Sequence, residues 1–314
     1  MPLSFDEVIE RLKSGAGKKI GLHARWGDKH AARVIETYEL VYRHPGDQCA
    51  RALLVSAFED YLKRPEPENP VVAVLSDIHG NLEALQSVVA DARKEGAGTF
   101  LVAGDIVGYG PKPAECVDLV KRLGAVAVRG NHDELVVNHD EYDYMRFNPA
   151  ARQSILWTRG QLNKEHLEYL GTLPYYILDQ EHGYQMVHGS LASPFRYIDT
   201  IDGAVESFKT QSERLCFIGH THVAAVVRSC SDGVVCDWNT QFPVYADDAS
   251  KLLINVGSVG QPRDNDARAS YALWNRLTGQ VVIRRVDYDI GKVQKDILEV
   301  GLPQRLSERL AVGR

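Results

Sequence analysis

The sequence predicts an α/β protein with paired sheets, carrying a small helical extension at its N-terminus. Three observations predict it. From residue 71 onward, short β-rich runs alternate with helical segments. The later part of that region is richer in strands than in helices. Before it, helical periodicity stands alone, ending in the three prolines of RPEPENP, residues 64 to 70, which fix an extended connection. The boundary is therefore expected near residue 69, with a helical piece over 1–69 and an α/β domain over 70–314. With 314 residues, 44% hydrophobic and 25% charged, the chain has ordinary globular chemistry and length enough for a sizeable core. It has no fixed-period repeat.

In chain order, residues 4–14 form the first expected helix. Ser4 and Glu7 fit a capping box, and Phe5, Val8, Ile9 and Leu12 follow helical spacing. Gly15 and Gly17 are expected to stop it. The stretch SGAGKK resembles a phosphate loop only superficially, because Leu12 stands where the first glycine of a Walker motif belongs. Residues 31–43, through Ala31, Val34, Ile35, Tyr38 and Val41, predict a second amphipathic helix. Residues 49–63, through Leu53, Leu54, Ala57, Phe58, Tyr61 and Leu62, predict a third. His23, His30 and His44 share no metal-binding spacing and read as packing or surface residues.

Beyond the boundary, strands are expected at 71–75, 99–103, 125–129, 174–178, 184–188, 215–218, 223–228, 251–256, 270–274 and 280–287. Helices are expected at 81–94, 113–123, 149–161, 163–170 and 201–210.

The net charge of −6 and the lack of a dense Lys/Arg tract argue against an extended nucleic-acid surface or membrane-surface binding. No apolar run approaches the ~18 residues of a membrane span, and the N-terminus lacks a basic-then-apolar leader, so the expectation is a cytoplasmic protein. Five cysteines without a C-x-x-C pair read as reduced thiols, although Cys230 and Cys236 flank SDGVV in a plausible hairpin.

The chemistry is concentrated at strand ends. VVAVLSDIHGN, FLVAGD, AVAVRGNHD, YQMVHG and LCFIGHTH each close an apolar run with His, Asp or Asn. The carboxyl ends of strands are where open α/β sheets place their binding crevices. A lone histidine after a strand is ordinarily a hydrogen-bonded turn residue. Five junctions sharing one mixture of ligand types have no such common reason, and His79, His132, His188, His220 and His222 are five of the chain's 11 histidines. Glycines at 80, 104, 130, 189 and 219 permit close turns around a compact centre.

Seven candidate donors exceed the four or so around a structural zinc and suit two borderline divalent ions better. One aspartate, here Asp105, can bridge ions ~3.5–4 Å apart, the arrangement used for phosphoryl displacement. Two dications balanced by Asp77, Asp105 and a bridging hydroxide leave a net charge of about +1, which favours an anionic phosphate over a neutral ester or peptide.

SDIHGN, GD, RGNHD, HGS and GHTH, in this order over about residues 71–288, resemble the motifs of the calcineurin-like metallophosphoesterase superfamily, in its small bacterial and archaeal phosphodiesterase-like branch. The resemblance implies a four-layer α-β-β-α sandwich, two sheets flanked by helices. It implies Asp77, His79 and His222 around a first metal, Asn131, His188 and His220 around a second, and Asp105 joining both. Manganese and iron are the ions it favours, with zinc, nickel or magnesium as alternatives. His132 resembles the family's non-ligand catalytic histidine, placed to protonate the leaving oxygen or stabilise its charge while hydroxide attacks phosphorus in line. Asp133 either orients His132 or caps the following helix. Asn81 either assists phosphate binding at the start of helix 81–94 or only caps it.

The substrate expected is a small phosphate ester, a phosphodiester or a nucleotide, with phosphomonoester or phosphoprotein hydrolysis as the alternative and a noncatalytic scaffold behind both. GDIVGYGPKP lacks the acidic and arginine positions of the protein phosphatase pattern GDxxDRG, and NVGSVGQPRD at 255–264 also resembles the phosphodiesterase branch. Arg263 reads equally as a phosphate contact or as half of a buried salt bridge. Arg146, Asn148 and Arg152, in a segment between His139 and Pro174, are further candidate substrate contacts. The N-terminal piece is open to three roles: making a homo-oligomer, restricting the cleft, or recognising a partner.

Overall fold

A computed structural model of the chain describes residues 3–25, 28–64, 69–138, 147–230, 233–237, 242–245 and 250–314. The chain divides into two compact units, Met1–Pro70 and Val71–Arg314.

The first unit is helical. Helix α1 (Phe5–Arg11) has the expected capping box, with the Ser4 hydroxyl accepting from the Glu7 amide and the Glu7 carboxylate accepting from the Ser4 amide. Gly15 breaks it, with φ of 124° inside a π-type turn over Leu12–Ala16. Gly17 does not end the helical region, however; it starts α2 (Gly17–Arg25), which the sequence reading left out. α3 (Lys29–Arg43) and α4 (Gln48–Lys63) begin at Asp28 and Asp47, whose carboxylates accept from the amides of the first turn. Val8, Ile20, Ala31, Val34, Leu54, Ala57 and Phe58 form the core of this unit. Ile35, Tyr38, Leu53 and Leu62, expected on the apolar stripes, are exposed. His23 is a packing residue, hydrogen-bonded to the Tyr61 hydroxyl at 2.9 Å and to the Arg64 guanidinium, which also pairs with Asp28 at 2.6 Å.

The second unit is built on two six-stranded sheets. Its elements in order are β1 (Val71–Leu75), α5 (Leu82–Lys94), β2 (Thr99–Val102), α6 (Pro113–Arg122), β3 (Val126–Ala127), α7 (Asn131–Asn138), α8 (Pro149–Gln161), α9 (Lys164–Thr172), β4 (Tyr176–Asp179), β5 (Tyr184–Val187), α10 (Ile201–Thr210), β6 (Leu215–Ile218), β7 (Ala225–Cys230), β8 (Gly233–Asp237), β9 (Val244–Tyr245), β10 (Lys251–Asn255), β11 (Ala269–Asn275), β12 (Gln280–Val286), α11 (Ile290–Glu299) and α12 (Gln304–Glu308). One sheet has the order β3-β2-β1-β11-β12-β9 and the other β4-β5-β6-β10-β7-β8.

The fold is the two-sheet α/β sandwich flanked by helices that the sequence leads one to expect. Its central core lies between the sheets: Val72, Val74, Leu101 and Trp274 from the first meet Tyr184, Met186, Phe217 and Ile254 from the second. Alternation along each strand sends every second side chain into this layer. β1, β2 and β3 run parallel, as do β5, β6 and β10. Within each sheet their carboxyl ends therefore share one edge, and the loops that carry the polar motifs leave from it. In the β7–β8 hairpin, Cys236 pairs with Val227 and Cys230 with Gly233, so the two cysteines are not cross-strand partners. Among the described residues no helix is long and apolar enough to cross a membrane.

Because the second unit has its own core and contains all seven candidate ligands, a chain lacking residues 1–69 is expected to keep its metal content. Elemental analysis of the purified truncation checks this, and a folded, metal-free product would contradict it.

Candidate metal centre

Each ligand-bearing turn is held by its neighbours' backbone. After β1, the amides of Asp77, His79 and Gly80 bond to the carbonyls of Gly104, Asp105 and Ile106 in the turn after β2, all at 3.0 Å. Asp77, His79, Asp105, His220 and His222 have φ between 51° and 68°, the left-handed region that residues other than glycine seldom adopt. Such strain persists where the surroundings over-determine it, and it concentrates at functional sites. Two glycines are required by close approach. A Cβ on Gly130 would lie 2.0 Å from Asp105 Oδ1, and one on Gly219 would lie 1.8 Å from Ser76 Oγ.

The turns bring the seven candidate ligands together. His222 Nε2 lies 3.2 Å from Asp77 Oδ1 and 3.2 Å from His79 Nε2, which lies 3.7 Å from both Asp77 Oδ1 and Asp105 Oδ2. His188 Nε2 is 3.2 Å from the same Asp105 Oδ2, 4.0 Å from Asp77 Oδ1 and 3.0 Å from Asn131 Oδ1. His188, His220 and Asp105 also offer ligand atoms within 4.8 Å of one another. Asp105 thus belongs to two of the candidate donor groups, one with His79 and His132 and one with His188 and His220. All seven residues are buried.

Backbone carbonyls set the tautomers. His79 Nδ1 faces the Val107 carbonyl at 3.1 Å, His188 Nδ1 that of Ala103 at 2.7 Å, and His222 Nδ1 that of Gln261 at 2.6 Å. A carbonyl only accepts, so each Nδ1 carries a proton and each Nε2 is directed to the cluster. His220 is reversed: its Nε2 donates to the Phe195 carbonyl at 3.0 Å, leaving Nδ1 as the nitrogen with a free lone pair. The Tyr197 ring stacks on His220 with centroids 3.7 Å apart.

The donor set fits cations. Asp77 Oδ1 is buried and accepts no hydrogen bond, while its Oδ2 takes bonds from the Ser76 hydroxyl and the His220 amide. An orphaned buried carboxylate oxygen facing imidazole nitrogens is a costly arrangement for a protein alone and a natural one around a metal. Burial opposes charge on Asp105, but His188, His132 and His79 hold its carboxyl far below the usual range. Burial lowers His220 to about 3 and His222 to about 4, keeping both rings neutral. Burial also disfavours charge on His188, yet Asp105 and Asp77 outweigh it and raise the ring to about 9.

His132 lies in the first turn of α7, beside this cluster. Its amide donates to Asp105 Oδ1 at 2.8 Å, and its ring lies against Tyr109 at 4.4 Å and edge-on to Phe147 at 5.3 Å. Burial pushes its pKa well below the ordinary value. His132 can also group with His79 and Asp105 as a donor, so position alone admits both a ligand and a proton-transfer role. Asp133 does not bond to the His132 ring. Its carboxylate accepts from the Val107 amide at 3.1 Å and the Gly130 amide at 3.0 Å, holding the turns on either side and matching the capping alternative more closely. Burial, then the neighbouring Asp105, raises Asp133 to about 7.

The cluster opens into a cavity of about 590 Å³ whose walls include Tyr109, Asn148, Arg263, Arg305 and Arg309. Arg263 has no ion pair among the described residues; it donates to Gln261 Oε1 at 2.8 Å, so the salt-bridge alternative finds no partner. Asn81 does not line this cavity. Its side chain accepts from the Ala84 amide and donates to the Gly260 carbonyl, which matches the capping alternative. Arg146 lies outside the described residues. Tyr197, Arg305 and Arg309 were not singled out from the sequence. Both arginines follow α11, which Asp289 as a cap and the spacing of Ile290, Val293 and Ile297 could have disclosed.

The chain belongs to the calcineurin-like phosphoesterase superfamily, whose domain model matches residues 71–278. It is therefore a metal-dependent phosphoric ester hydrolase by family. It is 37% identical over 246 residues to an uncharacterized protein of Methanocaldococcus jannaschii, covering 78% of this chain and 98% of that one. The crystal structure of a metallophosphoesterase from Sphaerobacter thermophilus, 39% identical, superposes with a TM-score of 0.70 over 79% of this chain and 100% of that chain. A symmetrical bis(5'-nucleosyl)-tetraphosphatase of Psychromonas ingrahamii is 30% identical over 131 residues, 35% of this chain and 48% of that protein.

Proposed function

We propose that the chain is a binuclear phosphoesterase that hydrolyses a small phosphodiester or nucleotide. One observation supports the reading: Asp105 Oδ2 lies 3.7 Å from His79 Nε2, which neighbours Asp77 and His222, and 3.2 Å from His188 Nε2, which neighbours Asn131, while Asp105, His188 and His220 form a further candidate donor group. Manganese and iron suit this mixture of imidazole and carboxylate. When bound, the ions supply a nucleophile at neutral pH and polarise the phosphoryl oxygens.

The protein's own groups do the rest. Backbone carbonyls hold three imidazoles with Nε2 toward the centre, and the Phe195 carbonyl holds His220 the other way round. His132, wedged between Tyr109 and Phe147, gives a proton to the leaving oxygen when the negative charge of a bound phosphate offsets the burial that otherwise disfavours its protonated form. Asp133 positions the turn that carries His132 through the Gly130 amide. Arg263, with no carboxylate partner among the described residues and a buried Nε lacking any partner, offers a planar donor to a phosphate oxygen. The tetraphosphatase relative makes nucleotides a reasonable class to test.

The test is a paired assay of the metal-loaded enzyme on bis(p-nitrophenyl) phosphate and p-nitrophenyl phosphate. Metal-dependent turnover with the higher kcat/KM for the diester is expected. A preference above about tenfold for the monoester, ~1.4 kcal/mol in barrier, would reverse the substrate reading. No metal-dependent turnover of either ester, with nucleotides included, would remove it.

A further inference from the structure

The cavity over the ligand cluster carries more positive charge than one phosphate requires. Arg263 comes from the loop after β10, Arg305 from α12 and Arg309 from the 3₁₀ turn that follows it, and all three border the same space as His132 and His220. They stand on a packed base: Tyr109, Val293, Ile297, Leu302, Leu306 and Leu310 form one buried cluster beneath them. The backbone that carries Arg305 and Arg309 is therefore held at the cavity by the fold.

Among the described residues Arg263 and Arg305 pair with no carboxylate: Arg263 bonds to the neutral amide of Gln261. Arg309 bonds to a main-chain oxygen of Arg314, the last residue of the sequence. The Arg263 guanidinium also lies over the Tyr109 ring at 5.8 Å. A guanidinium is charged at any working pH and presents a planar fork matched to carboxylate or phosphate oxygens. Three of them bordering one space repel one another until an anion enters. Burial, followed by the nearby Arg263, lowers Arg309 to about 10.

We propose that Arg305 and Arg309, together with Arg263, form a second anion subsite for a phosphoryl group other than the one being cleaved. The preferred substrates then carry two or more linked phosphates, as nucleoside and dinucleoside polyphosphates do. A cavity of about 590 Å³ is within the range that holds a compound of that size. The inference rests on the phosphoesterase reading of the neighbouring cluster, which places the scissile group at the metal ligands.

Calorimetric titration of the full-length, metal-loaded protein with inorganic tripolyphosphate and with orthophosphate, at constant free Mn²⁺, tests it. The wild type is expected to bind tripolyphosphate at least about 30-fold more tightly than orthophosphate. Arg305→Gln/Arg309→Gln is expected to lose at least about tenfold of that ratio. Because the result is a ratio within one protein, a general loss of active molecules cancels. Arg305→Gln alone, at an exposed position, provides a variant whose folding is not in question. Equal affinities in the wild type, or an unchanged ratio in both variants, would overturn the subsite. Hydrolysis is scored separately: no metal-dependent turnover of either model ester or of nucleotides, alongside an intact tripolyphosphate preference, would reject the enzymatic reading and leave the anion subsite standing.

Discussion

Asp105→Asn is expected to reduce metal-dependent turnover by ~10³-fold or more, about 4 kcal/mol of transition-state stabilisation. The substitution is nearly isosteric. An asparagine carbonyl oxygen can still accept the His132 amide that Oδ1 takes now at 2.8 Å, so the turn after β2 survives. What is lost is the negative charge on Oδ2, which lies 3.2 Å from His188 Nε2 and 3.7 Å from His79 Nε2. Both donor groups lose the oxygen they share. Bound metal measured by elemental analysis is expected to fall with activity while circular dichroism stays native. His132→Ala separates the two roles open to that histidine: full metal content with turnover down ~10²-fold or more marks proton transfer, whereas loss of an ion marks a ligand. An Asp105→Asn enzyme within tenfold of wild type would end the shared-carboxylate account.

Phe217→Ala is expected to destabilise the second unit by about 3–5 kcal/mol in urea denaturation. Phe217 is fully buried at the centre of β6, its ring 5.5 Å from Trp274 and 6.3 Å from Tyr184. Tyr184 shares its sheet and Trp274 belongs to the opposite one, so the three rings join the two sheets. Alanine leaves a void that neighbours on two hydrogen-bonded sheets cannot collapse to fill. Phe217→Leu, which restores much of the volume, is expected to lose markedly less. Since His220 and His222 follow β6 directly, metal affinity is expected to weaken in the alanine variant as the strand loosens. A loss below about 1 kcal/mol would mean the sheets do not close over this ring.

Much of the second unit was legible because its information is local. An apolar run followed by a ligand and a glycine declares both a strand and its polar end, and Val71–Leu75, Leu215–Ile218, Pro149–Gln161 and Ile201–Thr210 lie where periodicity puts them. The seven candidate ligands, which the fold gathers into one buried cluster, stood out for the same reason. Sheet order was not, since β11 lies antiparallel to β1 from some 200 positions away and no pattern within either strand names its partner. α7 escaped because its first residues, Asn131, His132 and Asp133, read as ligands and hide a helix start. Asn81 and Asp133 show a further limit. The same side chains serve as caps or as site groups, and only the positions of Gly260, Gly130 and Val107 decide between them.

The left-handed turns restrict how the site can be redesigned. Asp, Asn and His are the residues other than glycine that best tolerate positive φ, and five of the seven proposed ligands occupy such positions. Cysteine or glutamate introduced there to attract a softer or harder ion would have to bend the main chain before meeting it. Asn131 and His188, on conventional backbone, are the two entry points at which the centre's appetite for one element over another can be adjusted without disturbing its scaffold.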